Sequence, residues 1–182
     1  TLHEQIRKSG RKLEDIRKIR IRTHEAAIRI IDKKGPLDNP ADRDHCIQYM
    51  IAVPLLFGRL TAGDYEDGVA KDPRIDALRA KMFCVEDKKF TRDYHAPDKR
   101  SIANALTVEF KDGTKLEEVV CEYPIGHKRR RKEGMPLLLA KFRANLARRF
   151  APRRQGAILA QRQDARRLAS TPVNRFVDLF VP

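Results

Sequence analysis

The stretch Asp-Arg-Asp-His-Cys-Ile-Gln-Tyr-Met-Ile-Ala-Val-Pro-Leu-Leu-Phe-Gly-Arg-Leu, residues 42–60, is the longest apolar run in a strongly charged sequence. Ile47, Met50, Ile51, Val53, Leu55, Leu56, Phe57 and Leu60 fall on nearly every side of a helical wheel. A helix that is apolar all round must be buried over most of its surface, so the rest of the chain has to pack around this one. It is too short and too interrupted to span a bilayer. Pro54 removes an amide donor and predicts a kink or a change of helix. Polar residues crowd at the front. His45 and Tyr49 are four apart with Gln48 beside them, which predicts all three near one face of the first turns. A helix start offers free amides and a positive dipole end to a carboxylate or phosphate. Asp42 or Asp44 could cap those amides instead.

Working outward, 182 residues hold one medium domain, or one domain and part of another. A hydrophobic content of 41% supports a folded core. Cys46, Cys84 and Cys121 are odd in number and widely spaced, which suggests reduced thiols and a cytoplasmic setting, not disulfides or zinc. Neither a signal peptide nor a transmembrane run is evident. The chain opens without Met, directly in helix-like sequence, which predicts a piece of a longer protein. The net charge of +14 is uneven: residues 127–182 carry 15 Lys/Arg against 3 Asp/Glu, and residues 1–126 carry 24 against 22. An electrostatic attraction to a polyanion belongs to the tail.

Residues 1–10 predict a helix stopped at Ser9-Gly10. Ile19 and Ile21 alternate with charges, which predicts a half-buried strand near 16–23. Residues 25–31 suit strand or short helix, and 32–40, with Gly35, Pro36 and Pro40, a loop. Thr61 or Asp64 suits the cap of a short turn. Asp72-Pro73 opens a helix to about residue 80 with Ile75 and Leu78 inward. Residues 82–86 suit a strand. The runs 102–110 and 116–123 flank Asp112-Gly113, a hairpin signal. Beyond Pro124-Ile125-Gly126 the texture is helical: 136–150 opened by Pro136, 153–169 with a thin apolar stripe, and a last short element holding Phe176, Leu179 and Phe180. The expected class is α+β over 1–126, followed by a helical segment over 127–182.

Arg-Thr-His-Glu-Ala-Ala-Ile-Arg-Ile-Ile-Asp-Lys-Lys-Gly-Pro-Leu-Asp-Asn-Pro-Ala-Asp-Arg-Asp-His-Cys-Ile-Gln-Tyr-Met (22–50) resembles the MmgE/PrpD family. So do Leu-Thr-Ala-Gly-Asp-Tyr-Glu-Asp (60–67), Arg-Ile-Asp-Ala-Leu-Arg (74–79), Glu-Tyr-Pro-Ile-Gly-His (122–127) and Pro-Val-Asn-Arg-Phe-Val-Asp-Leu (172–179). The resemblance runs the whole length and corresponds to the carboxy-terminal part of such an enzyme. It implies a lyase without metal or cofactor, dimeric, with a large helical domain built from both ends of the chain and an inserted α+β lid. On that pattern 1–126 is most of the lid, and 127–182 is the returning piece of the helical domain. The implied reaction is dehydration of 2-methylcitrate to 2-methyl-cis-aconitate in propionate breakdown, the methylcitrate cycle. The family's main acid and base belong to segments preceding this part, so this chain alone is expected to be inactive. Of the residues present, Tyr49 and then His45 are implied as catalytic, and Gln48 as substrate-binding.

Each candidate has a plainer reading. His45 could be hydrogen-bonded locally at a helix start, and Tyr49 could be a core aromatic whose hydroxyl meets a backbone carbonyl. Gly126-His127 could be a lid hinge or an ordinary turn. His24 and His95 lack ligand-spaced partners for a metal. The run Lys128-Arg-Arg-Arg-Lys132 suits a solvated basic face. The competing class is a basic module for nucleic acid or another polyanion, but the tail lacks interleaved aromatics and any zinc, helix-turn-helix or RRM signature.

Overall fold

In a computed structural model, which describes residues 1–181, the chain divides into two compact units, Thr1–Pro124 and Ile125 onward. The first is built on a sheet of β1 (Ile16–Thr23), β2 (Met82–Glu86), β3 (Asn104–Phe110) and β4 (Val119–Cys121), in the order β2-β1-β3-β4. β1 runs parallel to β2 and antiparallel to β3, and β3 antiparallel to β4. Ile19, Ile21 and Thr23 point inward from β1, as the alternation requires, yet Ile16 is also fully buried and out of phase. A bulge between Ile16 and Lys18 in the pairing with β3 inserts the odd residue that resets the phase.

Helices fill the parallel crossover and flank the sheet. α1 (Leu2–Ser9) is opened by a Thr1–Glu4 capping box and closed by Gly10 at φ 68°. α2 (Glu25–Ile31) resolves the ambiguous stretch in favour of helix, because His24 caps it by accepting from the Ala27 amide. α3 (Pro40–Asp44), α4 (Ile47–Phe57) and α5 (Asp67–Ala70) follow. α6 (Pro73–Arg79) starts at the Asp72 cap and buries Ile75 and Leu78, as expected. α7 (Lys88–His95), capped by Asp87, is an element the sequence reading left out. Tyr49, Ala52 and Val53 of α4 join Ile19, Ile21, Ile75, Leu78 and Val108 in one core.

Two expectations need correction here, and of the two alternatives for Pro54 the change of helix is excluded. Residues 42–60 form two helices, because the backbone at Cys46 is extended (φ −123°, ψ 107°) and breaks the run after His45. Pro54 lies inside α4 without ending it. The second hairpin strand shrinks to Val119–Cys121, with an isolated bridge between Glu109 and Lys115 nearer the turn.

In the second unit, a turn at Lys128–Arg130 leads into α8 (Arg131–Ala147), then α9 (Pro152–Gln163), α10 (Ala165–Ser170) and α11 (Val173–Asp178). Pro136 does not open α8 but sits within its exposed second turn, where water can serve the carbonyl that proline leaves without an amide. The expected 153–169 helix is two, separated at Asp164, whose carboxylate accepts from the Arg166 and Arg167 amides and starts α10. Leu146 and Ile158 are buried, and Phe180 meets the rings of Phe150 and Phe176.

Candidate functional site

The helix break separates the three polar residues that the sequence puts on one face. His45 ends α3, its side chain 61% exposed, with Nδ1 against the Ala41 carbonyl and the Asp44 carboxylate. The hydrogen bond to Asp44 raises its pKa and favours the imidazolium. Asp42 and Asp44 do not cap α4. Asp42 pairs with Lys33 and accepts from the Asp38 amide, and no side chain caps the α4 amides at Cys46.

Tyr49 is in the core at 2% exposure, and its hydroxyl donates to the Asp64 carbonyl at 2.7 Å. Its ring stacks on Tyr65, centroids 5.9 Å apart. Burial raises the phenol's pKa, so the hydroxyl keeps its proton at neutral pH. The turn that receives it is held from several sides. The Asp64 carboxylate accepts from the Thr61 amide and hydroxyl, both at 2.7 Å, and pairs with Arg59. Arg43, also buried, reaches the Tyr65 carbonyl and the Asp67 carboxylate, each at 2.7 Å.

Gln48 points elsewhere. Its amide nitrogen donates to Asp32, and its carbonyl oxygen accepts from the Cys46 thiol at 3.3 Å. Burial works to raise the Asp32 carboxyl, but hydrogen bonds from Lys34, Gln48 and Cys84 outweigh it and hold the pKa low. Burial and the nearby Asp32 push the Cys84 thiol up to about 12, so it is not a nucleophile. Beside Gln48 opens a cleft of about 610 Å³, walled by the 33–36 loop, the end of α6 and Met82 at the start of β2. Lys33, Lys34 and Arg79 bring three cations to it, against one lining carboxylate, Asp76. Of the three expected site residues, Gln48 therefore lines an open cleft, Tyr49 lies in the core, and His45 is at the surface.

Residues 1–165 match the family model described as the MmgE/PrpD C-terminal domain. The chain belongs to the MmgE/PrpD family. It is 65% identical over 181 residues to 2-methylcitrate dehydratase of Escherichia coli (strain K12) and 66% identical over 179 to that of Cupriavidus necator. It is 58% identical over 181 residues to the mitochondrial 2-methylcitrate dehydratase of Yarrowia lipolytica. These matches cover 100%, 98% and 99% of this chain but 38%, 37% and 34% of the relatives, so the chain spans little more than a third of their length. The polyanion-module alternative gains no support: the family match runs through the basic stretch, which sits at the surface with Lys128, Arg129, Arg131 and Lys132 exposed. Among the described residues no helix is long and apolar enough to cross a membrane.

Within this MmgE/PrpD chain two other histidines have local roles. His24 caps α2 and stacks on Tyr94, and His127 accepts from the Arg129 amide at 3.2 Å. Sequence reasoning missed Lys33, Lys34, Arg79 and the buried Arg43. The Lys-Lys-Gly-Pro turn is a visible signal for the first two. Arg79 could be found only from the fold, which brings the end of α6 to that turn through a hydrogen bond from Nη2 to the Gly35 carbonyl.

Proposed function

We propose that this chain serves as the carboxy-terminal part of a hydro-lyase that dehydrates 2-methylcitrate to 2-methyl-cis-aconitate in propionate catabolism. The observation that carries this is 65% identity, over the whole chain, to an enzyme named for that substrate. Residues 1–126 act as an α+β lid, and residues 127–182 as the returning piece of a helical domain. The working enzyme is a cytoplasmic homodimer completed by the part that the relatives have and this chain does not span.

The reaction removes a proton next to a carboxylate, breaks a C–O bond and protonates the departing hydroxyl, so it needs a base, an acid and groups that stabilise developing negative charge. In this reading Tyr49 is the proton donor to the leaving hydroxyl, and its raised pKa keeps that proton available. To act, the hydroxyl exchanges the Asp64 carbonyl for a substrate oxygen. His45, favoured as a cation, attracts a carboxylate, and Gln48 contributes its amide to substrate binding. No metal or cofactor is invoked.

The test is turnover by this chain joined to the remaining part as the relatives have it, with 2-methylcitrate and citrate as substrates. The expected outcome is 2-methyl-cis-aconitate from the first, lost roughly ten- to a thousandfold in Tyr49→Phe, the range for one catalytic donor. Absence of dehydration with either substrate refutes the reading. Unchanged turnover in Tyr49→Phe returns that residue to the core alone.

A further inference from the structure

We propose that the cleft beside Gln48 is a carboxylate-binding site in which Arg79, Lys34 and Lys33 receive two carboxylates of a small polycarboxylic acid. The dehydratase reading supplies only the identity of the ligand; the site itself rests on geometry.

Arg79 is the fixed member. Its side chain is only 12% exposed, and Nη2 donates to the Gly35 carbonyl at 3.0 Å, so the guanidinium stands in one orientation at the wall. Its acidic partner, Asp76, lies three residues back on α6 and is 71% exposed. An ion pair with so exposed an acid contributes little, and a ligand carboxylate can replace Asp76 without leaving a buried charge behind. Gly35 makes this arrangement possible: its φ of +84° turns the loop so that its carbonyl meets Arg79 while Lys33 and Lys34 line the same space.

The two lysines are mobile counterparts. Lys34 is 65% exposed and pairs at 2.6 Å with Asp32, the carboxylate that also holds Gln48. Lys33 pairs with Asp42. Both ammonium groups can swing to a ligand while Asp32 keeps the Gln48 amide and Asp42 keeps the Asp38 backbone amide and the Asn39 side chain. Guanidinium favours a planar carboxylate that it can grip with two N–H groups, and the lysines act as point charges on the second carboxylate. Met82, Pro36 and Ala80 supply apolar wall for a short carbon skeleton, and the volume lies within the range of small-molecule sites.

The experiment titrates the 182-residue chain with citrate and, separately, with inorganic phosphate, following backbone amide shifts at matched ionic strength. Citrate is expected to move amides of residues 33–36, 48 and 76–82. Lys34→Gln, and Arg79→Lys, which keeps the charge but loses the fork, are each expected to weaken citrate by about tenfold. Phosphate is expected to bind at least about tenfold more weakly than citrate. Unmoved amides in that set, wild-type citrate affinity in Lys34→Gln, or phosphate binding as tight as citrate each overturn the proposal. Lys34 is exposed enough that its variant folds, so the result does not hang on Arg79. Dehydration is not the readout: citrate binding here, in a protein that fails to dehydrate 2-methylcitrate, upholds the site and removes only the functional reading.

Discussion

The Tyr49 hydroxyl donates to the Asp64 carbonyl at 2.7 Å, which ties the first turn of the apolar helix α4 to a turn fifteen residues on. The bond is buried. Tyr49→Phe keeps the ring and its stacking on Tyr65 but leaves that carbonyl unpaired. The variant is expected to lose about 1 kcal/mol of stability, the usual size of one such hydrogen bond. Urea denaturation of this chain measures it. An unchanged midpoint would show that water replaces the phenol, and turnover comparisons should be made well below the melting temperature of both forms.

Arg43 holds the same turn from α3, through the Tyr65 carbonyl and the Asp67 carboxylate. Its partner Asp67 is exposed, so losing the arginine strands the carbonyl more than the acid. Arg43→Leu is expected to cost about 2 kcal/mol. Arg43→Lys should recover only part of this, because an ammonium cannot reproduce the fixed fork of the guanidinium. Equal melting temperatures for the lysine variant and the parent would show that charge alone suffices.

Two glycines in the second unit should respond in opposite directions to alanine. At Gly134 a Cβ would collide with the Ile125 carbonyl, a backbone atom that cannot move aside. Gly134→Ala should therefore cost about 1–3 kcal/mol, as overpacking does. Gly156 sits inside α9 with open space where its Cβ would be. Gly156→Ala should stabilise by roughly 0.5–1 kcal/mol, since alanine loses less entropy in a helix. Amide exchange in α8 and α9 reads both, and the same sign of effect at the two sites would refute the packing argument.

What the sequence makes legible depends on whether the signal is local. Ile19 and Ile21 announce a strand because period-two burial needs no knowledge of partners, and Asp72-Pro73 announces α6 because both residues act within one turn. The break at Cys46 is not legible in this way: cysteine is no capping residue, and the apolar run continues across it. The break at Asp164 does carry a capping signal, one that a thin apolar stripe on either side obscures. For the site, Gln48 could be picked out as polar on an apolar element. Its cleft could not, because the 33–36 loop, Gln48 and the Arg79–Met82 stretch are distant in sequence and only the parallel β1–β2 crossover brings them together. Arg43 reads as one more charge in Asp-Arg-Asp until the fold buries it.

His24 gives a pH dependence whose sign follows from its position. The residue is buried, Nδ1 accepts from the Ala27 amide at 3.2 Å, and the ring stacks on Tyr94 with centroids 4.2 Å apart. Burial and then the nearby His95 lower its pKa, while Glu25 pulls weakly the other way. A protonated Nδ1 could not accept from Ala27, so the folded state holds the ring neutral. The unfolded histidine titrates near 6.5. Above that pH both states are neutral and the group contributes no slope. Below it the unfolded chain takes up the proton first, so stability falls as the pH drops from about 6.5 toward the lower folded value. His45 works in the opposite sense, because its raised pKa adds stability on the acid side. The comparison is therefore made against His24→Asn, which can still cap α2 but does not titrate. Chemical denaturation between about pH 7.5 and 5 should show the parent losing stability relative to the variant as the pH falls. A difference between the two that stays constant across this window would assign the acid sensitivity to another group.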